Sequence, residues 1–218
     1  MRNASTGILT AFLGAAQQVE VVLDSKPVAD HWEDQSALEG YTVAGLAGHL
    51  ARGVLTVERY LDAPAPPDAT EATDAAGYIT AVLGDHDPVD SGFHRSVRAR
   101  SLDTSSAGAS ALAREVGRAR LALQERLDGS TLGRRVEVLQ GVVITVEEYL
   151  RTRLVELVVH LDDLAVSVGQ ENSKDCPQDA YDEVAIVLVQ VAARRHGALS
   201  VIRGLARRER HPDAIRAF

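Results

Sequence analysis

Three side chains in two distant stretches of the chain have the types that hold a divalent metal ion. Glu156 and His160 lie four residues apart, and His49 stands far upstream. In a helix, residues i and i+4 leave one face a turn apart. A carboxylate and an imidazole at that spacing reach a single ion at about 2.0–2.2 Å. Two histidines and one carboxylate are the protein ligands of an open zinc site, whose fourth position is left to water or substrate. The E-x-x-x-H pair is common by itself, and a helical salt bridge or a satisfied core histidine explains it as readily. A histidine packed in a small-residue helix contact likewise explains His49. Gly45 and Gly53 flank His49 one turn either way, which reads as room for a ligand above the imidazole.

The helix carrying Glu156 and His160 is marked at both ends. Thr145 to Glu148 is a T-x-x-E capping box, and Gly169 stands at the far end, so a helix is predicted to about Val168. At about 100° per residue, Leu150, Leu154, Leu157, Leu161, Leu164 and Val168 fall within roughly 40° of one direction. Val155, Val159 and Val166 form a second apolar flank. Arg151 and Asp162 lie between the flanks on the expected solvent edge. Tyr149, Arg153, Glu156, His160, Asp163 and Ser167 share the opposite edge. Both edges cannot face water, so one faces the interior. A buried carboxylate and imidazole are costly there unless something satisfies them, and a metal ion does so.

The remaining pattern supplies helices to face this one. Ile8, Phe12, Ala15, Val19 and Leu23 recur at helical spacing over 4–24. A loop is expected over 25–41. Thr42 caps a helix over 43–62 with Val43, Leu46, Leu50, Val54, Val57 and Leu61 on one face, stopped by Pro64, Pro66 and Pro67. A weaker helix is expected over 70–83 and a loop over 84–102. Asp103 or Thr104 opens a long helix to about 128, ended by Gly129. Val136, Val138, Val142 and Ile144 around Gly141 suggest a short hairpin over 132–144. A last helix runs over 178–208, followed by an irregular tail. The fold class is all-α, an antiparallel four-helix bundle with an additional C-terminal helix. It divides into a bundle domain at 1–175 and a C-terminal helix and tail at 176–218 packed on it.

Composition narrows the function classes. The chain has 218 residues, 45% of them hydrophobic and only 4% aromatic, so the core rests on Ala, Val and Leu. A net charge of −8 with no basic run interleaved with aromatics argues against nucleic acid as a partner. No apolar run is long enough to span a membrane. Cys176 stands alone, which excludes an internal disulfide and a cysteine-rich zinc site. A cytoplasmic monomer or homodimer is expected.

The segments YTVAGLAGHLARGVLTVERYL (41–61) and TVEEYLRTRLVELVVHLDDLAVSVG (145–169) resemble the mycothiol-dependent maleylpyruvate isomerase N-terminal domain, a family of DinB-like metal-dependent bundles. The resemblance extends over roughly 5–170. It implies that His49, Glu156 and His160 bind a divalent ion, usually zinc, beside a cavity that admits the thiol of mycothiol as co-substrate. Isomerases of the family carry a separate C-terminal domain, whereas residues 178–218 supply a helix and a tail. Thiol transfer or thiol addition to a small electrophile is therefore the nearer extrapolation. Asp163, one turn beyond His160, can orient the imidazole, although an ordinary surface acid fits that place too. Arg153 can pair with Glu156 or with a substrate carboxylate. Tyr60 aligns with His49 and Gly53 and can wall the site, though core packing explains it as well. The alternatives are a metal-dependent hydrolase and a metal-binding or sensor module without turnover.

Overall fold

A computed structural model describes residues 4–67, 69–84, 91–170, 176–209 and 215–217. Four long helices form the bundle: α1 (Ala4–Leu23), α3 (Val43–Asp62), α6 (Ala109–Arg126) and α8 (Val146–Ser167). They close a ring in which α1 packs on α6, α6 on α3, α3 on α8, and α8 on α1. The core lies on the axis of that ring. Ile8, Phe12, Ala15, Val19 and Leu23 of α1 are fully buried there, as their spacing predicts. Leu46, Leu50 and Val54 of α3 and Leu150, Leu154, Leu157 and Leu164 of α8 meet them from two other sides. Burying one side chain the size of Phe12 contributes about 1.5–3 kcal/mol.

Capping chemistry sets the helix starts. The Thr42 hydroxyl accepts the Gly45 N–H at 3.1 Å and opens α3, which ends before the Pro64–Pro67 stretch. The Thr145 hydroxyl accepts the Glu148 N–H at 3.2 Å and opens α8. Only half of the expected capping box forms, because Glu148 turns away from Thr145. Its carboxylate accepts the Ala75 N–H at 2.8 Å, which fixes α4 (Ala75–Leu83) against α8. The expected hairpin is present: β1 (Arg135–Glu137) pairs antiparallel with β2 (Val143–Thr145), with Val136 opposite Ile144.

Five expectations are corrected. The loop over 25–41 contains a short helix, α2 (Lys26–Asp30). The loop over 84–102 contains α5 (Gly92–Thr104), begun by the Ser91 hydroxyl on the His94 N–H at 3.2 Å; residues 85–90 lie outside the described residues. Asp103 and Thr104 therefore end a helix instead of opening one, and Gly108 at φ 87° separates α5 from α6. Leu127, not Gly129, terminates α6; Gly129 begins α7 (Gly129–Leu132). The single helix expected over 178–208 breaks at Gly197, φ 85°, into α9 (Gln178–His196) and α10 (Ala198–Ala206).

α5 escaped detection because it docks without an apolar stripe. It lies on α3 where Gly48 faces the Ser101 backbone, and a Cβ at position 48 would overlap the Ser101 carbonyl oxygen. The contact is made of small residues, Gly48 with Ser101 and Ser105, which hydrophobic periodicity does not register. On the other side of the bundle α9 packs on α8, α4 and α1, and α10 packs on α9. No helix of the described residues is long and apolar enough to cross a membrane.

Candidate metal centre

α3 and α8 approach closely where their small and polar residues meet. A Cβ on Gly53 would stand 2.7 Å from the Leu157 side chain and 3.8 Å from Glu156 Cβ. This glycine therefore draws α8 against α3. Gly45 is filled around by Tyr41 and Leu102. The expectation that these glycines leave room for a ligand is corrected: they bring backbones together, and that approach places His49 over Glu156.

The three side chains named from the sequence converge. Ligand atoms from His49, Glu156 and His160 all lie within 4.8 Å of one another. His49 Nε2 is 3.0 Å and His160 Nε2 is 3.3 Å from the same carboxylate oxygen, Glu156 Oε2. The imidazole rings stand edge to face, 4.7 Å between centroids. Donor atoms tetrahedrally placed at zinc–ligand distances lie about 3.3 Å apart, close to both separations.

The outer nitrogens of the rings are turned away from the cluster. His160 Nδ1 donates to Asp163 Oδ2 at 2.8 Å, which leaves Nε2 for the interior of the cluster. Asp163 is thus engaged with the imidazole and does not stand apart on the surface. His49 Nδ1 lies 3.5 Å from the Ser101 hydroxyl of α5. An oxygen partner on the outer nitrogen fixes tautomer and ring orientation in metal-binding histidines. Two imidazole nitrogens and one carboxylate oxygen with such backing fit a divalent ion.

The electrostatics follow from burial and partners. Burial would push the Glu156 carboxyl up, but hydrogen bonds from His160 and His49 and the charge of Arg153 hold it well below the usual range. Burial likewise opposes a charge on His160, yet Asp163 and Glu156 outweigh it and raise the imidazole to about 9. Among the described residues Glu156 is the carboxylate that acts on His49, and burial prevails over it and lowers the imidazole.

Aromatic rings line the rest. Tyr41 tilts toward His49 at 5.7 Å between ring centroids. Tyr149 is buried in the α3–α8 seam and shares a hydrogen bond of 2.9 Å with Thr56. Tyr60 stands edge-on to Tyr149 at 5.3 Å and Tyr78 of α4 at 6.4 Å. Tyr60 thus packs on the same Tyr149 ring over which Arg153 lies. Arg153 lies with its guanidinium 5.0 Å from the Tyr149 ring centroid and 3.9 Å from Glu156 Oε1. Sequence reasoning missed Tyr41, Tyr78 and Ser101. The Thr42 cap beside Tyr41 and the Asp74 cap before α4 were the available signals for two of them, while Ser101 had none once α5 was read as loop.

The expected solvent edge of α8 is corrected at Arg151. Its guanidinium bonds Glu147 at 2.7 Å, Glu148 at 2.5 Å and Glu183 of α9 at 3.1 Å, beneath α9. Asp162 remains exposed.

A family model, the mycothiol maleylpyruvate isomerase N-terminal domain, matches residues 15–165. The chain belongs to that family. The matched span holds His49, Glu156, His160, the whole of α3 and α6, the second half of α1 and all but the end of α8, and it stops before α9 and α10. None of the curated proteins and none of the solved structures matches the chain. Membership supports a mycothiol-related, DinB-like helical domain with a cluster compatible with metal binding.

Proposed function

We propose that this protein is a zinc-dependent enzyme in which mycothiol, a low-molecular-weight thiol, is the co-substrate for thiol transfer to, or thiol-assisted isomerisation of, a small electrophile. The observation that carries the reading is the convergence of His49, Glu156 and His160 within 4.8 Å, on a chain of the mycothiol maleylpyruvate isomerase N-terminal domain family. His49 Nε2, Glu156 Oε2 and His160 Nε2 would hold the ion. Bound there, the ion supplies a Lewis-acid position that lowers the pKa of a coordinated thiol.

The chain's own residues do the rest. Asp163 holds the proton on His160 Nδ1 and so keeps the lone pair of Nε2 directed inward once the second proton leaves. Glu156 and Asp163 bring two negative charges to the site, balancing a divalent charge. Tyr41 against His49 and the buried Tyr149 against Arg153 lower the polarity around the site, which strengthens each electrostatic contact inside.

Metal analysis of protein purified without a histidine tag tests the first half. Near-stoichiometric zinc in wild type, lost in His49→Ala, is expected; no metal in either protein removes the site. Mass spectrometry after incubation with mycothiol and a panel of electrophiles tests the second half. Adduct formation by wild type and not by His49→Ala is expected. Zinc bound with the thiol unreacted across the panel would leave a binding module in place of an enzyme.

A further inference from the structure

Acids are plentiful in this chain, 31 against 23 basic residues. Arg120, Arg126, Arg151 and Arg194 each meet a carboxylate at 3.0 Å or less. Arg52 and Arg59 of α3 and Arg100 of α5 do not: among the described residues none of them has a carboxylate within ion-pair distance. Arg52 and Arg59 stand seven residues apart, two turns along one face of α3. Burial, and then the charges of Arg100 and Arg59, lower the Arg52 guanidinium from its usual value. Three like charges are thus gathered where the chain supplies no counter-charge in contact with them.

Arg52 and Arg59 line a pocket of about 420 Å³ between α3, the end of α5 and α6. Thr56 and Ser106 place hydroxyls in its wall. Asp103 and Glu115 line it as well, but both are exposed, so water solvates them, whereas Arg52 is half-buried. The pocket lies off the α3–α8 seam, and none of His49, Glu156 and His160 lines it. Thr56 is the link between the two places, since its hydroxyl also meets the Tyr149 hydroxyl at 2.9 Å. A carboxylate carries one charge and two oxygens, for which a single guanidinium fork suffices. Two forks with a third cation nearby suit a tetrahedral oxyanion, which offers more acceptor oxygens and up to about two charges.

We infer that this pocket binds a phosphate-type oxyanion, held between Arg52 and Arg59 with Arg100 as a nearby charge. It is a second site, apart from the His49–Glu156–His160 cluster, and it stands whether or not that cluster holds metal. The anion supplies the counter-charge that the arginines lack, and it touches the α3–α8 seam only through Thr56.

Calorimetric titration with inorganic phosphate, against chloride at matched ionic strength, tests this on wild type and on His49→Ala. Both proteins are expected to bind phosphate and to gain thermal midpoint from it. Arg52→Gln should weaken phosphate at least about tenfold, the range of a charged hydrogen bond. Arg59→Gln should weaken it less, because Arg59 is exposed. Without phosphate neither variant should lower the thermal midpoint, since each removes a repulsion. Arg126→Gln, which removes the same charge from a pair with Asp62, should leave phosphate affinity unchanged. Phenyl phosphate in place of the free ion tells the two sources apart: tighter binding assigns the pocket to a phosphomonoester, weaker binding to inorganic phosphate, and the oxyanion site stands in both. Wild type that responds to phosphate no more than to chloride overturns the inference and needs no variant to fold. So does phosphate binding that is lost in His49→Ala and kept in Arg52→Gln, which places the anion at the metal cluster. An Arg52→Gln protein with a lowered midpoint and intact phosphate affinity overturns it too, because Arg52 would then be structural. Equal weakening by Arg126→Gln and Arg52→Gln would reduce the effect to overall charge and leave no site.

Discussion

Helix α8 carries two clusters of partly buried charge on opposite edges, and they are built on different plans. At Arg151 a cation sits at the centre, with Glu147, Glu148 and Glu183 around it at 2.5–3.1 Å. Each carboxylate faces the charge it needs, and the cluster ties α8 to α9 with nothing further required. At Glu156 the centre is a carboxylate oxygen, met by two imidazole nitrogens at 3.0 and 3.3 Å, with a guanidinium standing off at 3.9 Å. That arrangement is satisfied by a proton or a cation shared among its members. On one helix, then, clustered charge is arranged on two plans, one centred on a guanidinium and the other on a carboxylate oxygen.

The same substitution placed in both clusters separates the two plans and has the largest expected effect. Glu156→Gln should lower apparent zinc affinity more than about 100-fold, beyond the 10–100-fold typical of residues that merely orient ligands. Glu183→Gln should leave zinc content unchanged and cost about 1 kcal/mol of stability, since the pair is only part-buried and Arg151 keeps two other carboxylates. Zinc competition with a chromophoric chelator and urea unfolding provide the two readouts. A Glu183→Gln protein that loses zinc would erase the distinction.

How far the sequence reveals this depends on the kind of contact. The bundle was legible because α1, α3 and α8 bury periodic leucines, valines and alanines, and Thr42 and Thr145 cap where their types predict. The pairing of Glu156 with His160 in the candidate cluster was legible from the second polar edge of α8, which turns toward α3. α5 was not legible, because serine on glycine leaves no apolar period. Ser101 went unnoticed with it. Arg151 was misplaced on the solvent edge because its cover, Glu183 of α9, is a tertiary partner that no window of α8 reports. The same limit applied to Asp163, whose part in holding His160 depends on a rotamer and not on spacing alone.

A cluster centred on a proton must respond to pH when metal is removed. His160 is raised to about 9 from an ordinary 6.5, so it holds its proton more tightly in the folded chain. Its contribution to stability is complete below about pH 6.5 and is lost as pH climbs through about 9. Glu156, held below the carboxylate range, acts in the opposite sense and loses its contribution as acid protonates it. Chelated protein should therefore be less stable at pH 9.5 than at pH 6.5, by about 2 kcal/mol after allowing for coupling with Glu156. His160→Ala should flatten that difference in urea unfolding. A chelated wild type equally stable at both values would mean that His160 carries no extra proton.

Asp163→Asn sharpens the comparison at smaller scale. Asparagine preserves size but weakens the hydrogen bond that fixes the His160 ring, and zinc affinity should fall about tenfold. Replacing Asp162, its exposed neighbour, with Asn should leave the affinity unchanged. Equal losses from both would point to long-range charge in place of the fixed imidazole.

The smallest expected effect falls on both clusters alike. Thr145 precedes the first turn of α8 and accepts the Glu148 N–H, while the Glu148 side chain is committed to Ala75 and Arg151. With the second arm of the capping box diverted, the hydroxyl is the only side-chain acceptor that Thr145 and Glu148 offer this helix start. Thr145→Ala should therefore cost about 1 kcal/mol, the usual loss of a cap. Because the strand pairing of Arg135 with Thr145 uses the backbone, the hairpin should survive the change. The helix frays from its first turn, close to Arg151 and about two turns before Glu156. Zinc affinity should stay within about twofold of wild type while hydrogen exchange quickens at Glu147 and Glu148. Exchange that quickens as far as Glu156 would show that the two clusters share one cooperative unit, and the division between them would hold in chemistry but not in stability.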